Sequence, residues 1–388
     1  MRTEENESPV EKVSLCAGCA KHPELKALVE SDPAEGVCGV CGSSAAKVFN
    51  PDKFGAARNL IRALIRLHFD EEAYNSHWGG TSVSHILLDE VNPILATCND
   101  STYADELIYR IEEEGGVYSE YDQGICLYAG SDGEYRGLQF SIPNTPCAFL
   151  TNIETRLDTE NFHAVEAAMN DLISRIEPEI EAHIEPGSLW FRSRIGVAET
   201  ATHVGLGAVT RIATPYKGDA IGALAPPKAS VGRMNRQGMS VLYVASEVDT
   251  ALAEVRPHPA HLISVGGFQA TRRLRIANFD LPISRFSASD QWLDTFAVIY
   301  HVDSLLCSPI TPEERHRYAP TQLLADTLIR RGFDGVTYRS SVGSGKNLCA
   351  FRPSDFLFDG AHSAVRQVDQ LRYRFSNVPM SIRTDFTP

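Results

Sequence analysis

Residues 232–258 read GRMNRQGMSVLYVASEVDTALAEVRPH, and this run carries three elements in succession. GRMNRQG is a turn flanked by Gly232 and Gly238, and it holds Arg233 and Asn235. VLYVAS, rich in β-branched and aromatic residues, predicts a strand carrying Tyr243. TALAEVRP then predicts a helix over 247–255 that stops ahead of Pro257, with Glu254 near its end. Working outward, LWFRSRIG lies upstream, and LISVGGFQATRRLRI, VTYRS and NLCAF lie downstream, with a helix over 321–331 ending at Gly332. Strands that come mostly without alternating helices predict an α+β sheet rather than a doubly wound one.

The first half has a different character. ARNLIRALIRLH, residues 57–68, places Leu60, Ile61, Leu64 and Leu67 at a helical period. A second helix is expected from Ser101 to Glu114, and extended structure with a turn at Ser131-Asp132-Gly133 over 117–150. Asp158 is expected to open a third helix with Val165, Met169, Leu172 and Ile176 on one face. It should run out between Pro178 and Gly187, the predicted domain boundary. At the front, Cys16-Ala-Gly-Cys19 and Cys38-Gly-Val-Cys41 have the spacing of two knuckles converging on a tetrahedral zinc. Two disulfides, which a reducing compartment disfavours, and four unrelated thiols are the competing readings. The acidic start has no apolar core of a secretory signal, and no run is apolar enough to span a bilayer, so a cytoplasmic protein is expected.

Charge narrows the partners. The chain of 388 residues has a formal net charge of −14, unevenly spread. Residues 1–50 carry −3, residues 51–180 carry −15 and residues 181–388 carry +4, with 20 of the last segment's 23 basic residues being arginine. The acidic segments would repel a phosphate backbone, so no nucleic-acid partner is expected. The basic segment suits a small phosphate-bearing ligand. The split also raises the expectation that residues 1–180 shield the basic region or dock a partner protein.

Candidate chemistry gathers near strand ends of the basic segment. Arg192 and Arg194 alternate along one strand and share a face. Ser340 and Ser341 follow Tyr338 at a strand end, before the flexible VGSGKN turn. Spacing alone leaves each of these, and Glu254, most simply an ordinary surface group.

The quoted stretch, WFRSRIG, and YAPTQLLADTLIRRGFDGVTYRSSVGSGKNLCAF together resemble the RES domain, named for its Arg, Glu and Ser, over residues 186–356. PYKGDAIGALAPPKASVGRMN resembles the subgroup with an additional N-terminal region, and residues 1–180 resemble its HEPN-like domain. Met234 stands where many members have an aromatic residue, and Arg339 where many have proline. The resemblance implies three regions: a zinc ribbon over 1–50, a mostly helical HEPN-like domain over 51–185, and an ADP-ribosyltransferase-like RES domain over 186–388. It also implies a bacterial toxin that consumes NAD+ as substrate, with Zn2+ as the structural metal and an antitoxin or sensor as the partner protein. Carried over by position, Arg192, Glu254 and Ser340 are the catalytic residues, with Arg194, Arg233, Asn235, Tyr243 and Ser341 around the substrate. Ser340 would position the ribose or carboxamide, and Tyr243 would stack on a ring. The acceptor of ADP-ribose stays open among phosphate, water and a protein side chain. A binding module without turnover is one rival. RNA cleavage by Arg62 and His68 of the HEPN-like domain is another, which the −15 disfavours.

Overall fold

A computed structural model describes residues 15–44, 47–49, 54–68, 87–88, 94–96, 142–143, 146–205, 208–371 and 375. Two compact units emerge, Met1–Glu179 with Asp280–Leu305, and Ile180–Phe279 with Leu306–Pro388. The expected catalytic region over 186–388 is therefore interrupted, since Asp280–Leu305 clusters with the first unit.

The first unit contains α1 (Pro23–Ser31), a hairpin of β1 (Pro33–Glu35) and β2 (Lys47–Phe49), α2 (Phe54–His68), α3 (Ala148–Thr159) and α4 (Phe162–Ile180). Its core joins the apolar stripe of α2, Leu60, Ile61, Leu64 and Leu67, to Leu25, Val29 and the buried Cys16, Cys19 and Cys38. Val165, Met169, Leu172 and Ile176 of α4 are all buried, as their period predicts. That helix begins at Phe162 rather than Asp158, because the Asn161 side chain accepts the His163 N–H at 2.9 Å and caps the turn. Residues 148–150, read as extended, instead open α3, which buries Leu150 and Ile153 at helical spacing. The helix expected over 101–114 and the turn at 131–133 lie outside the described residues.

The second unit contains β3 (Glu181–Ile184), β4 (Leu189–Ile195), a hairpin of β5 (Glu199–Gly205) and β6 (Ala208–Thr214), β7 (Leu242–Ala245), α5 (Val248–Glu254), β8 (Leu262–Ala270) and β9 (Leu274–Asn278). After α6 (Asp290–Cys307), which starts in the first unit, come α7 (Ala319–Arg330), β10 (Gly335–Arg339), β11 (Lys346–Ala350) and β12 (Phe356–Gln367). Apart from the β5–β6 hairpin, these strands form one sheet in the order β12-β8-β4-β7-β11-β10-β9-β3. Only β9 and β10 run parallel; the other neighbours are antiparallel. The expected α+β character is thus present, with every predicted strand of this region in the sheet. Strand β3, the hairpin β5–β6, β12 and α6 were not predicted. Gly332 closes α7 at φ +82°, the left-handed stop expected there.

Packing fixes the central strands. Leu242, Val244, Phe268, Leu348 and Ala350 join Ile184 and Ile221 in one buried cluster. Gly266 and Gly267 of β8 admit close neighbours on both faces: a Cβ at Gly266 would stand 2.9 Å from the Phe358 ring, and one at Gly267 2.8 Å from His362 Cβ. At the sheet's far side, Asp334 accepts from Arg272 Nη2 at 2.7 Å, from the Arg275 backbone N–H at 2.9 Å and from Arg352. Among the described residues, no helix is long and apolar enough to cross a membrane.

Asp334 sets an acid limit on stability. Burial pushes its carboxyl up, but the Arg272, Arg275 and Arg352 donors outweigh that and hold it at about 2, against the ordinary 3.8. A depressed carboxylate contributes fully above its unfolded pKa and loses that contribution as pH falls through its folded one. The wild type should therefore lose about 2 kcal/mol of stability between pH 4 and pH 2 from this group. Asp334→Asn should be less stable at pH 7 by a similar amount and lack that part of the acid slope, as urea unfolding across this range would measure.

Candidate active site

Register brings the site together. Phe191 of β4 pairs with Ala245 of β7, Ala245 with Asn347 of β11, and Asn347 with Tyr338 of β10. These four residues form a row across adjacent strands on one face of the sheet, and all four line a cavity of about 450 Å³. A volume of that size suits a small organic ligand. The floor ends where the sheet opens. β4 pairs with β8 along its whole length but meets β7 at Phe191↔Ala245 alone.

Arg192 occupies that opening. Its Nε donates to the Ile221 carbonyl and its Nη1 to the Tyr243 carbonyl, both at 2.8 Å. No carboxylate pairs with it among the described residues, and burial draws its pKa below the ordinary arginine value. A guanidinium keeps its charge in such a place, so the cavity holds a cation whose positive charge is met only by carbonyl dipoles. Arg233, Arg256 and Arg315 also line the cavity, against one acidic residue, Glu254. Arg233 is tied to the Leu306 carbonyl and, at 2.8 Å, to the Ser308 carbonyl. Arg256 and Arg315 have no ion-pair partner among the described residues. Arg256 stands at φ +46°, a strained conformation for a non-glycine residue, immediately after Val255 and Glu254. The lining as a whole favours an anion.

Glu254 closes α5 and reaches over the row. Its Oε1 accepts from Ser340 Oγ at 2.7 Å and from Asn347 Nδ2 at 2.6 Å. The three residues named by the sequence thus share one region: Arg192 and Glu254 line the cavity, and Ser340 stands behind Glu254.

The other expected residues divide. Tyr243 lines the cavity, but its hydroxyl is engaged, donating to Asn235 Oδ1 at 3.0 Å and accepting the Met234 N–H at 2.8 Å. Burial raises its pKa further. Asn235 is buried and spends its amide on the carbonyls of Ser230, Arg236 and Met239, so it shapes the 230–239 loop rather than facing a ligand. Arg194 lies outside the lining, 4.6 Å over the Tyr216 ring and bonded to the Ala220 carbonyl. Ser341 is exposed and outside the lining. Gln322 of α7 supports the same loop by donating to the Gly232 carbonyl at 3.0 Å.

Four residues escaped the sequence reading: Arg256, Arg315, Tyr318 and Asn347. For Asn347 a signal existed, because the β10–β11 hairpin places it opposite Tyr338.

The cysteines form a separate cluster in the first unit. One sulfur from each of Cys16, Cys19, Cys38 and Cys41 lies within 4.8 Å of all the others, with Cys16 and Cys41 at 3.9 Å and no disulfide. Four thiolates around one ion at metal–sulfur bonds of about 2.3 Å would stand ~3.8 Å apart. The cluster could hold a metal ion.

Comparison with known proteins bears on part of the chain. Residues 207–376 match the family model of the RES domain, which bears out the expected domain over that span. The match begins after β4, so Arg192 joins the site through the fold and not through the matched stretch. No curated protein matches the chain. Among solved structures, the crystal structure of the M. tuberculosis MbcT–MbcA toxin–antitoxin complex is similar at 13% identity, covering 51% of this chain and 92% of that chain, with a TM-score of 0.27.

Tyr243→Phe isolates the loop's contribution. It removes one hydroxyl and leaves Asn235 Oδ1 and the Met234 N–H short of a partner. Unfolding should show a loss of about 2 kcal/mol, with amide exchange quickening over residues 230–239. Unchanged exchange there would show that the loop is held by other contacts.

Proposed function

With a RES domain over residues 207–376 as the premise, we propose that this protein cleaves the nicotinamide–ribose bond of NAD+ and transfers ADP-ribose to phosphate or water. The observation that carries the reading is one cavity with a guanidinium, Arg192, that has no ion-pair partner among the described residues, and a held carboxylate, Glu254. Cleavage breaks the bond between the ribose anomeric carbon and the ring nitrogen, whose electron pair leaves with neutral nicotinamide. The sugar becomes oxocarbenium-like, and a nearby carboxylate stabilises that charge as it does in glycoside hydrolysis. Glu254 takes this role. Arg192 holds the pyrophosphate, with Arg256 and Arg315 adding positive charge for the dinucleotide or an incoming phosphate. An acceptor oxygen then bonds the anomeric carbon, and a water acceptor releases its proton to solvent. Phe191, Tyr318 and Tyr338 supply apolar walls against which rings pack.

Such an activity fits a bacterial toxin or defence effector kept in check by an antitoxin or sensor protein. In this reading residues 51–185 form a HEPN-like domain, to which the helical character of α2, α3 and α4 lends support. The second unit takes an ADP-ribosyltransferase-like arrangement. The four cysteines hold structural Zn2+, which would cross-link α1's surroundings to the β1–β2 hairpin and supply no chemistry to the reaction.

Two measurements test this. Purified protein mixed with NAD+ should release nicotinamide; Glu254→Ala should lower the rate at least ~100-fold, while Asp249→Ala, exposed on the same helix, should stay within about twofold. Equal rates for Glu254→Ala and wild type would refute the assignment. Elemental analysis should find about one zinc per chain, and Cys38→Ser should lose it with a fall in melting temperature. Native protein with four titratable thiols and no metal would remove the zinc reading.

A further inference from the structure

Resting on Glu254 as the catalytic carboxylate, we propose that Ser340 and Asn347 act as its positioning residues and that Ser340 makes no contact with substrate. Hydrogen-bond capacity decides the role. A serine hydroxyl has one proton to donate and two lone pairs to accept with. Ser340 Oγ donates its proton to Glu254 Oε1 at 2.7 Å. It accepts the N–H of Gly343 at 3.0 Å and of Val342 at 3.2 Å. Nothing is left for a ribose hydroxyl or a carboxamide. The role differs from the one the resemblance implies, and the geometry gives the reason.

Asn347 completes the clamp. It is 8% exposed, sits at the start of β11, and its Nδ2 donates to the same Oε1 at 2.6 Å. The two donors come from the two ends of one hairpin loop, Ser340 just past β10 and Asn347 in β11, so the tight 340–345 turn sets their separation. Glu254 needs such support. It is the last residue of a seven-residue helix and its side chain is exposed. Freezing a free glutamate side chain costs conformational entropy, which two bonds to a carboxylate offset. Both bonds fall on Oε1. Oε2 has no protein donor among the described residues and is left free to meet a ligand. The clamp therefore selects which oxygen meets the developing sugar cation.

Steady-state kinetics with NAD+ distinguish a clamp from a substrate contact. Asn347→Ala and Ser340→Ala should each lower kcat roughly 10–100-fold while KM moves less than ~3-fold, and Ser340→Thr, which keeps the hydroxyl, should recover most of the rate. In a Glu254→Ala background neither change should lower the residual rate further, since both act through the missing carboxylate. Ser340→Ala that mainly raises KM, or that slows the Glu254→Ala protein again, overturns the proposal. Crystal structures of the Ser340→Ala and Asn347→Ala proteins give an arm independent of turnover. Glu254 leaving its wild-type rotamer in either supports the clamp, and an unmoved Glu254 in both overturns it. Should the wild type release no nicotinamide, the functional reading falls, and these structures decide the clamp without it.

Discussion

A guanidinium that spans a gap between two strands organises this site. β4 is fully committed to β8 on one side, yet it touches β7 at a single pair, and beyond that pair the sheet would expose backbone carbonyls. Arg192 meets one of them, from Tyr243, together with the Ile221 carbonyl of the segment before β7, and so places a positive charge in the opening with no ion-pair partner among the described residues. A half-buried cation met only by carbonyls is costly on its own and becomes favourable when an anion arrives. The cavity, its arginine-rich lining and the carboxylate opposite all follow from that opening in the sheet.

Glu254 works against the same background. A carboxylate among several arginines would pair with one of them if its side chain were free to turn. Ser340 and Asn347 hold it instead, and no ion pair to Glu254 is formed among the described residues. The cation and the anion are thereby kept separate across one space, which is what a substrate carrying both a pyrophosphate and an incipient sugar cation requires.

Much of this was legible in the sequence, for identifiable reasons. Local patterns fixed β4, β7, α5, α7 and β10, because each is a short run whose period or capping residue is unambiguous. The α2 and α4 faces followed from apolar spacing alone. Asn161 was overlooked because Asp158, another good helix starter, lies three residues earlier. Asn347 was legible only through the register of the β10–β11 hairpin, and Arg315 not at all, since its place comes from a wall contributed by residues 310–318 that leaves no periodic trace. Arg194 shows the reverse case. Alternation correctly put it on the face of Arg192, which is opposite that of Phe191; Arg192 reaches the cavity through the opening between β4 and β7, whereas Arg194 stays on its own face and meets Tyr216.

The account stands most directly on where a dinucleotide binds. A crystal structure of the Glu254→Gln protein soaked with NAD+ would locate it. The pyrophosphate should lie within hydrogen-bond distance of the Arg192 guanidinium, with the nicotinamide-bearing ribose facing residue 254. A dinucleotide seated away from Arg192, or a cavity still empty at saturating NAD+, would contradict the account.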